Sequence, residues 1–205
     1  MTVKAIRIQN RINSTPEKDR EVRLIIILLS IFTASMIIGA GCINLQNNSS
    51  DIIISHYWFS LRNTQNLINV FLNSMSVNII LMFIVFFSGF SCIGMPLSVI
   101  TLTIKGLGLG YISGYLFTLS AKGIGYYLIN IIPSNIIIVT CLIIITIYSI
   151  TMSQDITMCI SDNKKLPENQ IKIYIKKFII IIVITITACF TDALFCKIYF
   201  YLFSF

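Results

Sequence analysis

The chain has 205 residues, of which 56% are hydrophobic and only 11% are charged, and its mean hydropathy is +0.88. A soluble domain of this length needs more charged residues than this to cover its surface. The composition therefore excludes an ordinary soluble protein and indicates a membrane protein. The net charge of +7 does not indicate nucleic-acid binding, because the Lys and Arg residues lie beside apolar segments, where membrane orientation explains them.

Residues 1–23 form a polar, charged lead, and residues 24–44 form the first apolar span. At a rise of about 1.5 Å per residue, about 20 residues cross a hydrocarbon core of about 30 Å. This apolar run is longer than that of a secretory signal peptide, so we expect no cleavable signal peptide. Residues 45–74 then form a polar outer loop, in which the apolar residues of 61–72 predict a short amphipathic helix along the membrane.

Residues 75–119 are almost continuously apolar and have to be divided into spans. A division at Lys105 gives one piece that is too long for a span and one that is too short. A division at Gly94-Met95-Pro96 gives spans of normal length at 75–94 and 97–119. Glycine commonly follows the end of a helix and proline is favourable in a first turn, so we predict this division, which places Lys105 inside the third span.

The remaining spans are predicted at 132–152 and 178–201, separated by a lysine-rich inner loop at 153–177. Pro133 lacks an N–H group, so we interpret the residues before it as an interfacial or broken segment. The sequence therefore predicts an all-α, polytopic membrane protein whose five transmembrane helices form one membrane domain, residues 24–203.

Five spans place the two termini on opposite sides of the membrane. If the N-terminus is cytoplasmic, the inner side holds six basic residues in the lead and five in the loop 153–177. The outer side then holds only Arg62 and Lys122, while Lys105 and Lys197 lie within spans. Positive charge concentrates on the cytoplasmic side of membrane proteins, so we predict a cytoplasmic N-terminus and an outer C-terminus.

The sequence offers little that predicts catalysis. The single histidine, His56, lies in the outer loop, and no histidine or carboxylate pair has the spacing of metal ligands. A membrane serine protease would need a buried base near Ser88 or Ser91, and Lys105 is the one candidate. We therefore expect a protein that is not an enzyme, with no catalytic residue, no metal and no cofactor.

Two features of the spans have structural and functional interpretations. Gly106, Gly110 and Gly114 repeat every four residues and so share one helix face, which allows another helix to approach closely. This face could pack within the chain, dock a partner subunit or line a conduction path.

Lys105 and Asp192 are intramembrane charges, for which structural pairing, snorkelling and transport chemistry all remain open.

Four short motifs follow one another along the chain: Gly94-Met95-Pro96-Leu97, then Lys105-Gly106 with Gly110 and Gly114, then Lys122-Gly123, then Ile132-Pro133-Ser134-Asn135. Their order and spacing resemble stage II sporulation protein M of endospore-forming bacteria. The resemblance covers most of residues 20–205. A broader related family has a Pro-His-Gly-Ile-x-Glu pattern where this chain has Pro133-Ser134-Asn135-Ile136-Ile137-Ile138, which favours the sporulation branch. Asp192 is similar to that family's acidic residue late in the last helix.

The resemblance implies a membrane scaffold that acts in engulfment, located in the mother-cell or septal membrane. Its partners would be the lipid bilayer and stage II sporulation proteins D and P, which cut peptidoglycan on the outer face. Gly94, Pro96, Pro133 and Asn135 lie in these motifs and are predicted to be residues at structural turns or kinks. We expect no small-molecule substrate for such a scaffold. The alternative function is a small membrane transporter or channel subunit, which predicts a polar cavity containing Lys105 and Asp192.

Overall fold

Helices account for the described part of the chain. The computed structural model describes residues 2–45, 66–118, 120–161 and 168–203, and contains no strand within these ranges. The elements are α1 (Thr2–Leu45), α2 (Leu67–Ser88), α3 (Gly94–Thr118), α4 (Ser120–Tyr126), a π-helical segment (Tyr127–Ile131), α5 (Ile132–Ser161) and α6 (Glu168–Phe203).

Five stretches of these helices are long and apolar enough to cross a membrane. Within the described residues they are Arg20–Ile43, Leu67–Ser88, Gly94–Thr118, Gly123–Ser161 and Asn169–Tyr199. Large apolar side chains point away from the bundle, such as Ile37 at 73% exposure and Ile68 at 66%. A surface of this kind is stable against lipid rather than water. The predicted all-α class with five membrane-spanning helices is confirmed for this part of the chain.

The second span begins earlier than the sequence predicts. Residues 67–74, which we assigned to the polar outer loop, form the first turns of α2, so no separate amphipathic helix starts there. Asn69 and Asn73 made this stretch look like a loop, but Val70 between them is buried in the core. Polar side chains are tolerated in a membrane helix that borders a cavity. The rest of the predicted loop, residues 46–65, lies outside the described residues.

The turn between α2 and α3 occupies residues 89–93, so the predicted end of the second span at residue 94 is wrong and Gly94 belongs to the next helix. Lys105 therefore lies within a helix, and the division of the chain at Lys105 does not occur. Gly94 starts α3 where no side chain fits, because a Cβ atom there would overlap the carbonyl oxygen of Ser88. Pro96 lies in the first turn of α3, where its missing N–H group leaves no hydrogen bond unmade.

The fourth span is longer than predicted and is not broken. The chain from Ser120 to Ser161 is one continuous helical run, so the predicted limits at 132 and 152 are both too narrow. Pro133 has no N–H group to donate to the preceding turn of the helix. The π-helical segment before it widens that turn, and the N–H of Ile132 donates to the carbonyl of Tyr127. The predicted inner loop 153–177 is likewise mostly helical, because α5 reaches Ser161 and α6 begins at Glu168.

Helix α5 is the central element of the bundle. It contacts α1, α2, α3 and α6, and its buried residues run from Ser134 to Ser153. Helices α2 and α6 run antiparallel, which is shown by three side-chain contacts one turn apart: Ser74 with Asp192, Asn78 with Cys189, and Met82 with Thr185. This arrangement brings polar side chains from α2, α3, α5 and α6 to one level of the bundle.

Candidate functional site

A cavity of about 310 Å³ lies among α2, α3, α5 and α6. Its lining combines apolar residues with six polar ones, which are Asn73, Ser74, Asn78, Lys105, Asn135 and Asp192. We call it the polar cavity. The cavity is partly open to the surface of the bundle, because Asn73 and Val77 in its lining are exposed. Its volume falls in the range of small-molecule sites, about 300–1,000 Å³.

Helical spacing explains why these side chains meet. Ser74 and Asn78 are four residues apart on α2 and so share a face, as do Lys105 and Leu109 on α3. On the α5 side, Ile131 and Asn135 repeat the same spacing across the end of the π-helical segment. Helix α6 contributes Asp192 alone, opposite these rows.

A chain of hydrogen bonds connects the two intramembrane charges. The Lys105 Nζ atom donates to Asn78 Oδ1 at 2.7 Å, and Asn78 Nδ2 donates to the Ser74 carbonyl at 2.8 Å. The Ser74 hydroxyl then donates to Asp192 Oδ2 at 3.0 Å, and the Ser134 hydroxyl donates to Asp192 Oδ1 at 3.2 Å. Four helices thus contribute to one polar network at hydrocarbon depth.

The burial of this network makes its hydrogen bonds important. Asp192 is 3% exposed and Asn78 is 5% exposed. An ionised group costs several kcal/mol to bury unless other groups compensate it, so such groups are retained in membrane spans mainly for packing or function. The two charges are opposite, so the cavity lining is neutral overall.

Two further asparagines, Asn130 and Asn135, lie beside this network on the α5 side. Asn135 Nδ2 donates to the Ile131 carbonyl of its own helical run at 2.9 Å. Asn130 is fully buried, and neither of its amide atoms has a hydrogen-bond partner within the described residues. Asn130 lies in the π-helical segment, and such segments are frequent at functional sites.

The glycine row of α3 packs against α1 within the chain. A Cβ atom on Gly106 or Gly110 would overlap Ser35 Oγ or the Met36 carbonyl oxygen, respectively. A Cβ atom on Gly114 would lie 2.9 Å from the Ala40 carbonyl oxygen. Of the three interpretations of this row, the structure therefore shows packing within the chain, and α1 covers the face that could otherwise have docked a partner.

The residues considered for a serine–lysine pair lie far apart. Ser88 ends α2 and is hydrogen-bonded to Ser149 at 2.8 Å, while Lys105 bonds to Asn78, ten residues earlier on α2. Ten residues of helix span about 15 Å, so Lys105 does not reach Ser88 as a base. No group of three or more His, Cys, Asp or Glu residues in the described ranges is placed to hold a metal ion.

The sequence missed several residues that complete the site. Ser74 and Ser134 bond to the Asp192 carboxylate, but serines are common in membrane helices and nothing in the sequence distinguished these two. Gly39 of α1 was also missed. It faces the glycine row of α3, and a Cβ atom on Gly39 would overlap the Leu107 carbonyl oxygen. Its position four residues after Ser35, on a span otherwise rich in large side chains, was a signal that could have identified it.

The family model for stage II sporulation protein M matches residues 26–196. The chain belongs to the stage II sporulation protein M family. The match confirms the resemblance stated from the motifs and extends over all five membrane-spanning helices. Membership makes this a sporulation-related, multi-pass membrane protein. No curated protein and no solved structure is significantly similar to the chain.

Proposed function

We propose that this member of the stage II sporulation protein M family is a non-enzymatic membrane scaffold for the peptidoglycan-remodelling machinery that drives engulfment. Family membership over residues 26–196 is the observation on which the proposal mainly rests. The partners would be stage II sporulation proteins D and P, and the site of action the mother-cell or septal membrane. The charge asymmetry supports a cytoplasmic N-terminus, which would place the segment between α1 and α2 outside.

The packing of α1 narrows where partners could bind. The glycine row is covered by α1, so a partner cannot use it without displacing that helix. The longest polar segment expected on the outer side connects α1 to α2, residues 46–65, and includes His56 and Arg62. The scaffold proposal therefore assigns partner binding to this segment.

A second candidate, transport of a small solute, is favoured by one observation. The polar cavity is lined by both Lys105 and Asp192, which is the arrangement that a transporter or channel subunit would require. The two functions depend on different parts of the chain, so complementation of a deletion strain distinguishes them.

The experiment compares three versions of the gene in a sporulating deletion strain, with engulfment scored by fluorescence microscopy of the forespore membrane. The wild type should restore engulfment. Replacing residues 46–65 with a Gly/Ser sequence of equal length should abolish engulfment and co-purification of proteins D and P. The uncharged pair Lys105→Met with Asp192→Asn should restore engulfment at a matched protein level.

The opposite pattern would favour transport, with the uncharged pair failing and the loop replacement restoring engulfment. Normal engulfment in the deletion strain itself would contradict both functions. The uncharged pair is preferred to a single substitution, because removing both charges of a buried network leaves neither one uncompensated.

A further inference from the structure

An apolar groove of about 250 Å³ adjoins the polar cavity on its α1 side. Its walls come from α1, α3, the π-helical segment and α5. Thr33, Ile136 and Thr140 belong to its lining and are exposed, so the groove opens at the outer surface of the bundle. We call it the lateral groove. The groove lies on helices that are long and apolar enough to cross a membrane, so in a bilayer this surface would face lipid chains.

The polar cavity and the lateral groove share a wall. Leu109, Ile131 and Asn135 line both of them. Ile131 ends the π-helical segment, so the local widening of that helix lies at the junction of the two spaces. The two spaces are therefore adjacent, one with six polar lining residues and the other lined mainly by apolar ones. An amphiphilic molecule that passes between these three residues would place its polar end in the cavity and its apolar end in the groove.

The charges of the polar cavity restrict the headgroup of such a molecule. A purely anionic headgroup near Lys105 would also face the Asp192 carboxylate, and a purely cationic one would face Lys105. A zwitterionic headgroup satisfies both, with its phosphate near Lys105 and its ammonium near Asp192. An ammonium group has three N–H donors, and the bond from Lys105 to Asn78 uses one of them.

We propose that the polar cavity and the lateral groove together bind one zwitterionic phospholipid, with its headgroup in the cavity and one acyl chain in the groove. The cavity alone would not distinguish a lipid from a soluble zwitterion, and the adjoining groove is the reason to assign a lipid. This inference does not depend on the proposed scaffold function.

The test measures lipid retention by the purified full-length protein with native mass spectrometry. Phosphatidylethanolamine and phosphatidylglycerol with identical acyl chains are offered in equal amounts in detergent. We expect the wild type to retain phosphatidylethanolamine at least tenfold more than phosphatidylglycerol. The uncharged pair Lys105→Met with Asp192→Asn should lose this preference. Equal retention of the two lipids by the wild type would overturn the proposal.

A second variant tests the groove without altering the charges. Thr140→Trp places a large ring in the lateral groove and should reduce retention of phosphatidylethanolamine at least tenfold. Thr187→Trp is the matched control, because Thr187 is also exposed and also bonds a carbonyl of its own helix, but does not line the groove. Equal retention by both tryptophan variants would contradict the assignment of the groove.

Free phosphoethanolamine and glycine are the probes for a soluble occupant. At millimolar concentration neither should raise the thermal unfolding temperature of the wild type, whereas phosphatidylethanolamine should raise it. If either soluble zwitterion stabilised the protein as strongly as the lipid does, the cavity would be a solute site and the lipid assignment would be wrong.

Discussion

Replacing Gly110 with leucine should separate α1 from α3 and cost about 3 kcal/mol or more of folding free energy. A Cβ atom at this position overlaps the Met36 carbonyl oxygen and would lie 3.0 Å from the Ala40 backbone nitrogen. Both are backbone atoms of α1, which cannot move aside as a flexible side chain could. Overpacking of this kind typically costs about 1–3 kcal/mol, and more where the neighbours are rigid.

Gly108→Leu is the matched control for this prediction. Gly108 is on the same helix, two residues away, and a Cβ atom there has no neighbouring atom within 4 Å. Both variants add the same side chain to the same helix, so differences in helix propensity cancel. Thermal unfolding in detergent should show a large loss for Gly110→Leu and almost none for Gly108→Leu. Similar unfolding temperatures would mean that α1 does not pack on the glycine row.

The second large effect is expected at the charged network of the polar cavity. Lys105→Met and Asp192→Asn should each lower the free energy of unfolding by roughly 3 kcal/mol, because each leaves the other charge buried and less compensated. The double variant should be close to wild type in stability. The physical reason is that the loss comes from an uncompensated charge, and the double variant has none.

A double-mutant cycle from equilibrium unfolding in detergent measures this coupling. Losses that simply add, with a coupling below about 0.5 kcal/mol, would show that the two charges act independently. Lys172→Met is the control for removing a lysine, because Lys172 is exposed on α6. Its effect should stay within about 0.5 kcal/mol, as for most surface substitutions.

The number of spans was predictable from the sequence because a lipid environment leaves the backbone few choices. Every N–H and C=O group in the hydrocarbon core needs an internal partner, so an apolar run of about 20 residues forms a helix. The limits of the spans were less predictable. Asn69 and Asn73 were interpreted as loop residues and Pro133 as a break, yet all three lie within helices. Hydropathy cannot detect a cavity or a π-helical turn that accommodates such residues.

The sequence identified the members of the site but not their arrangement. It marked Lys105 and Asp192 as intramembrane charges and left their pairing open. It could not give the rotation of each helix about its axis, which decides whether two side chains at one depth face each other. It also could not show that α1, rather than another chain, would cover Gly106, Gly110 and Gly114.

The parallel packing of α1 on α3 has a consequence for the order of assembly during synthesis. Helix α1 enters the membrane first, but it packs chiefly on α3, the third span to arrive. The close contact of Gly39 with Leu107 therefore cannot form while the ribosome is still delivering α2. Helix α1 therefore reaches its main neighbour only after α3 has been inserted, and until then its small-residue face is covered by other molecules.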